Sequence, residues 1–436
     1  MNYSEALTLL YEQLPMFSRV GAAAYKKDLD NTLKLCAILG NPQQKIKTIH
    51  IAGTNGKGSV SHFLAAIFQQ AGYKTGLYTS PHLKDFRERI KINGQMCPEA
   101  FVASFTERMI PALQSISPSF FELTVAMAFE YFANENVDIA IIETGLGGRL
   151  DSTNVITPEL SIITNIGWDH MNLLGNTLQD IAKEKAGIIK QNIPVVIGET
   201  LPETLPIFLQ HAQHRNAPIH FAEKNYITVN KNWPNAATAV FEIKHLESIV
   251  AYQTDLPGIY QGKNLCTVLT AIDVMKNKGW HIETSVLKNA IADAKNVSGL
   301  HGRWELIQHE PNIILDVAHN EAGIKNVLTH LDKIKYQALH IVIGMVKDKD
   351  IDIVLPLLPK HATYYFTKAD IPRALDAKIL ASKASGFKLN GESYADVNTA
   401  INAANSSAAY NDFILVCGSV FLVGEVDIRK IKKTLL

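Results

Sequence analysis

This chain has no surplus of either charge: 42 Lys and Arg stand against 42 Asp and Glu in 436 residues. The basic excess that draws a protein onto nucleic acid or an anionic membrane is therefore missing. Cysteine is scarce, and Cys36, Cys97, Cys266 and Cys417 lie far apart with no C-x-x-C pair, so they read as buried, reduced thiols. No apolar run is long enough to span a bilayer; Phe413 to Val423 comes nearest and is broken by Gly418 and Ser419. The opening MNYSEALTLLYEQL carries acidic residues at helical spacing instead of a basic-then-apolar leader, so a cytoplasmic location is expected. Internal repeats and low-complexity tracts are absent too. The length predicts two or three domains.

What is present is centred on IKTIHIAGTNGKGSVS, residues 46–61. Lys47 to Ile51 is β-branched and alternating, which predicts a strand. Gly53-Thr54-Asn55-Gly56-Lys57-Gly58-Ser59 follows directly, and Val60 to Ala71 reads as an amphipathic helix. Strand, glycine-rich turn and helix together cradle phosphates, because backbone N–H groups approach the oxygens and the helix N-terminus adds partial positive charge. Lys57 is expected at the terminal phosphates, with Ser59 or Thr54 placing the accompanying magnesium. Gly58 intrudes before Ser59, so the strict Walker A spacing is not met.

Further along, helices are expected at 2–14, 28–39, 98–115, 122–134 and 177–189, with FSRVGAAAY irregular between the first two. Strands are expected at 74–79, 137–142, 160–165 and 195–198. FRERIKING at 86–94 reads as an exposed loop or hairpin closed by Asn-Gly. Strand–helix alternation predicts a doubly wound, mostly parallel α/β sheet. Shorter β-like pieces fill 219–257, long helices follow at 262–278 and 283–294, and 296–302 reads as a linker. Beyond it βα alternation restarts, with strands at 312–317, 339–344, 362–367 and 413–417. The division is residues 1–298, an ATP-binding domain, and 299–436, a smaller Rossmann-like α/β domain.

Glu143 ends the VDIAII strand, where open parallel sheets bind ligands, and an acid there can hold magnesium. His170 follows the next strand in the same topological position. GLGGRLDSTN is open enough for its backbone to approach a ligand. Lys185 in AKEKAGIIK reads by composition as part of a solvated face. Arg303 lies past the linker, and Asp316, His319 and Asn320 close the first strand of the second domain; all four are placed to close over a nucleotide at the phosphate loop.

Taken together, GTNGKGS, TSPHL, FRERIKING, ETGLGGRLDSTN, NIGWDHMNLLGNTLQDIAKEKAGIIK, QGKN, HGRWE, DVAHN and GMVKDKD resemble, in order and over essentially the whole chain, the folylpolyglutamate synthase/dihydrofolate synthase family of the Mur ligase superfamily. The intruding Gly58 is that family's form of the loop. The resemblance implies Mur ligase architecture, a P-loop ATPase domain plus a Rossmann-like one. It implies that Gly53 to Ser59 bind the ATP phosphates, with Asn264, Arg303 and Asp316 also on ATP and His319 beside them. Ser80, Glu143 and His170 match magnesium positions, and Lys185 matches a lysine that these ligases carbamylate. A pterin surface is implied near residues 27–30, at Phe120, Phe121 and Glu122, and at Leu150, Asp151 and Ser152. Val317 in DVAHN replaces a residue that is often smaller, with little effect expected.

The activity so implied is ATP-driven amide formation: L-glutamate added to dihydropteroate, to a reduced folate, or to both, through an acyl phosphate. A monomer with only small-molecule partners is expected. The short stretch before the phosphate loop disfavours a cell-wall ligase with a UDP-sugar domain. A nucleotide-dependent switch and a small-molecule kinase are the rival classes. The switch predicts ATP turnover without glutamate, and the kinase a phosphorylated product with no need of an amine.

Overall fold

Eight strands form the first sheet: β1 (Thr48–Ala52), β2 (Thr75–Tyr78), β3 (Ile90–Ile92), β4 (Gln95–Met96), β5 (Ile139–Glu143), β6 (Leu160–Ile163), β7 (Val195–Ile197) and β8 (Ile219–Phe221). Their spatial order is β4-β3-β2-β5-β1-β6-β7-β8. Strands β1, β2, β5, β6 and β7 are buried at every position, which is why β5 and β7 run almost continuously apolar and why Thr48 and His50, the polar positions of alternating β1, lie inside the fold as well. Pairing is parallel from β2 across to β8, and antiparallel where β3 and β4 extend the edge. β1 lies between β5 and β6, where the order of strand addition reverses. Loops leaving the carboxyl ends of these three strands converge on one crevice. The register sets Ile51 beside Glu143 and Ala52 beside Ile163, so the turn after β1 starts level with both neighbouring strand ends.

The computed structural model describes residues 1–16, 21, 26, 28–347 and 351–431. One face of the sheet is covered by α1 (Tyr3–Gln13), α2 (Asp30–Ile38), α4 (Glu99–Ile116) and α5 (Phe120–Asn134); α3 (Lys57–Gln70) follows the turn after β1. Capping boxes start α1 and α5, Asn2 with Glu5 and Ser119 with Glu122, each worth about 1 kcal/mol. α6 (Leu178–Ala186) is capped by the Thr177 side chain. A three-stranded sheet, β9 (Ile227–Asn235), β10 (Thr238–His245) and β11 (Ser248–Thr254), precedes α7 (Gln261–Asn277).

The remaining strands are β12 (Glu305–Gln308), β13 (Asn312–Leu315), β14 (Leu339–Ile343), β15 (Thr363–Phe366), β16 (Gly391–Ser393) and β17 (Phe413–Cys417), ordered β12-β13-β17-β14-β15-β16. All pair in parallel except β12 with β13. Helix α8 (Glu321–Leu331) leaves the carboxyl end of β13, capped by Asn320. Contacts divide the chain into two compact units. One comprises Met1–Lys231, Val240–Asp255 and Gln261–Leu300; the other comprises Asn232–Ala239, Leu256–Tyr260 and His301–Leu436.

Several expectations change. FRERIKING is a hairpin but not an exposed one: Phe86, Arg89 and all of β3 are buried, because the strand pairs onto β2 and inserts its charged side chains into the fold. Of the stretch read as a linker, 296–302, the first three residues belong to a short helix, Ala294–Ser298, and Lys91 Nζ holds its end by donating to the carbonyls of Ser298 (3.2 Å) and Gly299 (2.7 Å). The helix expected from Val60 starts at Lys57. Two short edge strands, β12 and β16, carry too few apolar residues to announce themselves. Most of FSRVGAAAY, Lys27 and the end of GMVKDKD lie outside the described residues. All four cysteines are free and buried. Among the described residues no helix is long and apolar enough to cross a membrane.

Candidate active site

The turn after β1 is shaped by two glycines. Gly53 has φ +151° and Gly56 φ +84°, conformations that side-chain-bearing residues rarely adopt. A Cβ on Gly53 would overlap the Thr164 hydroxyl, and one on Gly56 would lie 2.5 Å from Asn264 Oδ1. Residues from the end of β6 hold the turn in place. Thr54 N donates to Asn165 O (3.0 Å), Asn55 N to Asn165 Oδ1 (2.9 Å), and Thr164 Oγ1 to Asn55 O (2.6 Å). Gly56 is the N-cap of α3 and supplies no side-chain cap, so the first N–H groups of the helix keep their anion-binding character.

Two ammonium groups converge on one carbonyl of this turn. Lys57 Nζ donates to Gly53 O (3.0 Å) and Thr54 O (3.3 Å), and Lys185 Nζ donates to Gly53 O at 2.9 Å. Lys185 is 4 % exposed, which corrects the solvated-face reading: α6 turns this residue inward with Ile181, Ala182 and Ala186 while Lys183 stays at the surface. Burial, aided by the Lys57 charge, lowers its pKa to about 7, against the pull of Asp169 and Asp151. Both hydroxyls expected near magnesium have protein partners. Thr54 Oγ1 bonds Gly167 (3.1 Å to its O, 3.0 Å from its N), and Ser59 Oγ accepts from Gln261 Nε2 at 3.1 Å. Asn264 Nδ2 donates to Gln261 Oε1 (2.8 Å), leaving its Oδ1 toward Gly56.

Glu143 is buried at the end of β5, and Ser80 N donates to its Oε2 at 3.4 Å, so these two expected metal positions are adjacent. Ser80 is followed by a cis peptide to Pro81. His170 adopts φ +51° and is partly buried, with Nε2 3.8 Å from Asp169 Oδ2. Among the described residues no group of three His, Cys, Asp or Glu is placed to enclose a metal. One carboxylate beside a serine suits a magnesium ion that draws most of its oxygens from phosphate and water, not one held in a protein cage.

The expected pterin residues divide by exposure. Phe120 and Glu122 are buried, and Glu122 Oε2 accepts from Ser119 N (2.6 Å) and Asn31 Nδ2 (3.3 Å), so both serve the fold directly. Phe121 is partly exposed and lies over Gly145, where a Cβ would approach its ring to 2.5 Å. Asp151 is buried and organises its own loop through the N–H groups of Leu146 (2.8 Å) and Thr153 (3.0 Å), leaving Leu150 and Ser152 partly exposed. Asp28 accepts from Asp30 N at 3.1 Å.

In the second unit, Asp316 is buried and collects Trp304 N (2.9 Å), Ala318 N (2.8 Å) and the Tyr260 hydroxyl (3.2 Å). Burial raises its pKa, with the Arg303 charge opposing. Arg303 Nη1 donates to Gly302 O at 3.2 Å, and His319 Nδ1 lies 3.0 Å from Val317 O. Sequence reasoning missed Thr164, Asn165 and Tyr260. The first two carry the signal used for Glu143, polar residues closing an apolar strand.

Residues 51–272 match the model of the Mur ligase middle domain, and residues 302–420 that of the Mur ligase glutamate ligase domain. The dihydrofolate synthase/folylpolyglutamate synthase of Bacillus subtilis (strain 168) is 36% identical over 417 residues, 93% of this chain and 95% of that protein. Among solved structures, Escherichia coli FolC in complex with DHPP and ADP superposes with a TM-score of 0.83 at 30% identity, covering 97% of this chain and 96% of that one. The bifunctional folylpolyglutamate synthase/dihydrofolate synthase of Yersinia pestis, complexed with AMPPNP and Mn ion, gives 0.81 at 26% identity, with 97% of each chain covered.

Proposed function

Because this chain belongs to the folylpolyglutamate synthase/dihydrofolate synthase family of the Mur ligases, we propose that it joins L-glutamate to dihydropteroate and to reduced folates at the expense of ATP. It is a carbon–nitrogen ligase. The observation that carries the reading is the convergence of Lys57 and Lys185 on the glycine turn after β1, beside Glu143 and Ser80.

A carboxylate is a poor acyl donor because an oxide would have to leave. Transfer of the γ-phosphoryl group onto it creates a phosphate leaving group. The N–H groups at residues 56–59 hold the ATP phosphates, and Lys57 releases the Gly53 and Thr54 carbonyls to meet the terminal one, balancing charge as the phosphoryl group moves. Ser80, Glu143 and His170 would hold magnesium, which neutralises the phosphate oxygens. Phe121, Leu150 and Ser152, the partly exposed members of the pterin set, face the acid substrate; Phe120, Glu122 and Asp151 set their positions. Asn264, Arg303 and Asp316 serve ATP, and His319 acts beside them. The neutral amine of glutamate then attacks the acyl phosphate, and the tetrahedral adduct collapses to amide and phosphate.

Lys185, with a pKa near 7, has an amine that is largely neutral at physiological pH. It can add carbon dioxide, forming an N–C bond and releasing a proton, and so becomes a carboxylate that places a negative charge beside Lys57. We assign the carbamate to the working enzyme, which acts as a cytoplasmic monomer on small molecules alone. Phosphate release from ATP tests the reaction: it requires both glutamate and a pterin acid, and the product gains one glutamyl unit by mass. Release indifferent to both additions would return the nucleotide switch to first place.

A further inference from the structure

The first unit buries another cation that the reaction above leaves unused. Arg89 immediately precedes β3, and its carbonyl accepts from Thr79 N at 3.1 Å, which seats it beside the residue preceding Ser80. Its side chain, in a residue only 7 % exposed, turns toward the face covered by α1 and α5. There the guanidinium lies 5.2 Å from the centre of the Phe120 ring and next to the Tyr78 hydroxyl, and its Nε donates to His82 Nδ1 at 2.7 Å.

Among the described residues no carboxylate pairs with it. Neighbouring Glu88 uses both oxygens on the N–H groups of Leu83, Lys84 and Asp85, and Asp85 is taken by Arg87 and the Tyr3 hydroxyl. A guanidinium does not shed its proton in a protein, so burying one without an acid costs free energy that the fold alone does not recover. The bond from Arg89 also fixes its neighbour. With Nδ1 accepting, the ring proton of His82 sits on Nε2, 3.5 Å from the Tyr11 hydroxyl. Tyr11 and His82 are partly exposed, and the rings of Tyr11, His82, Phe86 and Phe120 succeed one another at centroid separations of 5.7 to 6.3 Å. A cation, an N–H donor and a hydroxyl thus line one end of an aromatic wall, which is the composition that recognises an aryl-linked carboxylate.

We propose that Arg89, His82 and Tyr11 read a carboxylate of the acid substrate. The inference rests on the ligase reading above and gives that site its counter-charge. Two carboxylates have this chemistry: the reacting one, carried by every acceptor, and the α-carboxylate of a terminal glutamate, carried by folates and lacking in dihydropteroate.

The test is Arg89→Gln, with KM measured separately for dihydropteroate, for tetrahydrofolate and for ATP. Loss of a charge-assisted contact raises the acid KM roughly ten- to a hundred-fold, while KM for ATP stays within about twofold of wild type. Arg89→Lys recovers part of the loss. A rise for both acceptors assigns the corner to the reacting carboxylate, and a rise for tetrahydrofolate alone to the α-carboxylate. No rise for either, or a parallel rise for ATP, overturns the proposal and leaves Arg89 a packing residue. Should Arg89→Gln fail to fold, Tyr11→Phe replaces it, with a threefold to tenfold rise expected in the acid KM and an unchanged value overturning the proposal. Failure of the ligase reading is separate, since wild-type protein would then show no acid-dependent phosphate release.

Discussion

Lys185 is where stability and chemistry conflict most measurably. Its ammonium has an ordinary pKa of 10.5 and is lowered to about 7 in the fold. At pH 7.5 a group with pKa 7 is roughly three-quarters neutral, against about one part in a thousand at 10.5. Burial therefore raises the carbamate-forming amine by nearly three orders of magnitude. The same shift costs stability. Between pH 7 and 10.5 the unfolded chain holds a proton on this lysine that the folded chain has lost, so stability rises with pH across that window and the penalty is complete below it. The drop from 10.5 to about 7 corresponds to an upper bound of about 5 kcal/mol. In carbon-dioxide-free buffer, Lys185→Met should melt above wild type at pH 7, with the gap closing toward pH 10. With labelled bicarbonate, wild type should show a lysine carbamate by carbon-13 NMR and regain activity lost on carbon dioxide depletion. Lys185→Ala should be inactive and partly rescued by short carboxylic acids. A variant that melts lower at pH 7, or full activity of depleted wild type with no carbamate signal, refutes the reasoning.

Three other substitutions probe the site piece by piece. Gly53→Ala forces a Cβ onto the Thr164 hydroxyl at φ +151° and should cost about 2–5 kcal/mol; a melting temperature equal to wild type would disprove the tight approach of β1 and β6. Lys57→Ala should abolish turnover while circular dichroism stays native, and near-normal activity would remove the phosphate-loop assignment. Gly145→Ala meets the Phe121 ring at 2.5 Å and should raise KM for the pterin acid several-fold with KM for ATP unchanged; equal effects on both would detach Phe121 from the acid substrate.

The phosphate turn was legible because its signal is local. A β-branched run, two glycines and a lysine in sequence leave few other geometries, and the continuous apolar strands around it declare a parallel sheet. Glu143 was legible for the same reason, as the polar stop of such a strand. Lys185 was reached only through the family resemblance: by composition AKEKAG reads as a solvated helix face, and the burial of this one lysine comes from the packing of α6 against the Gly53 turn. Arg89 was hidden similarly in FRERIKING, a charged stretch whose residues reach the interior because β3 joins the sheet edge. Thr164 and Asn165 act through contacts more than a hundred residues distant in sequence, which no spacing rule encodes. Sequence patterns revealed the elements and their ends; the choice of which charge turns inward belongs to tertiary packing.

The acyl phosphate is the claim on which the whole scheme depends, and oxygen transfer tests it directly. Pterin acid labelled with oxygen-18 in its reacting carboxylate is turned over with ATP and glutamate, and the released phosphate is examined by phosphorus NMR or mass spectrometry. The account predicts that each phosphate carries one oxygen from the carboxylate. Unlabelled phosphate alongside labelled amide product would contradict it.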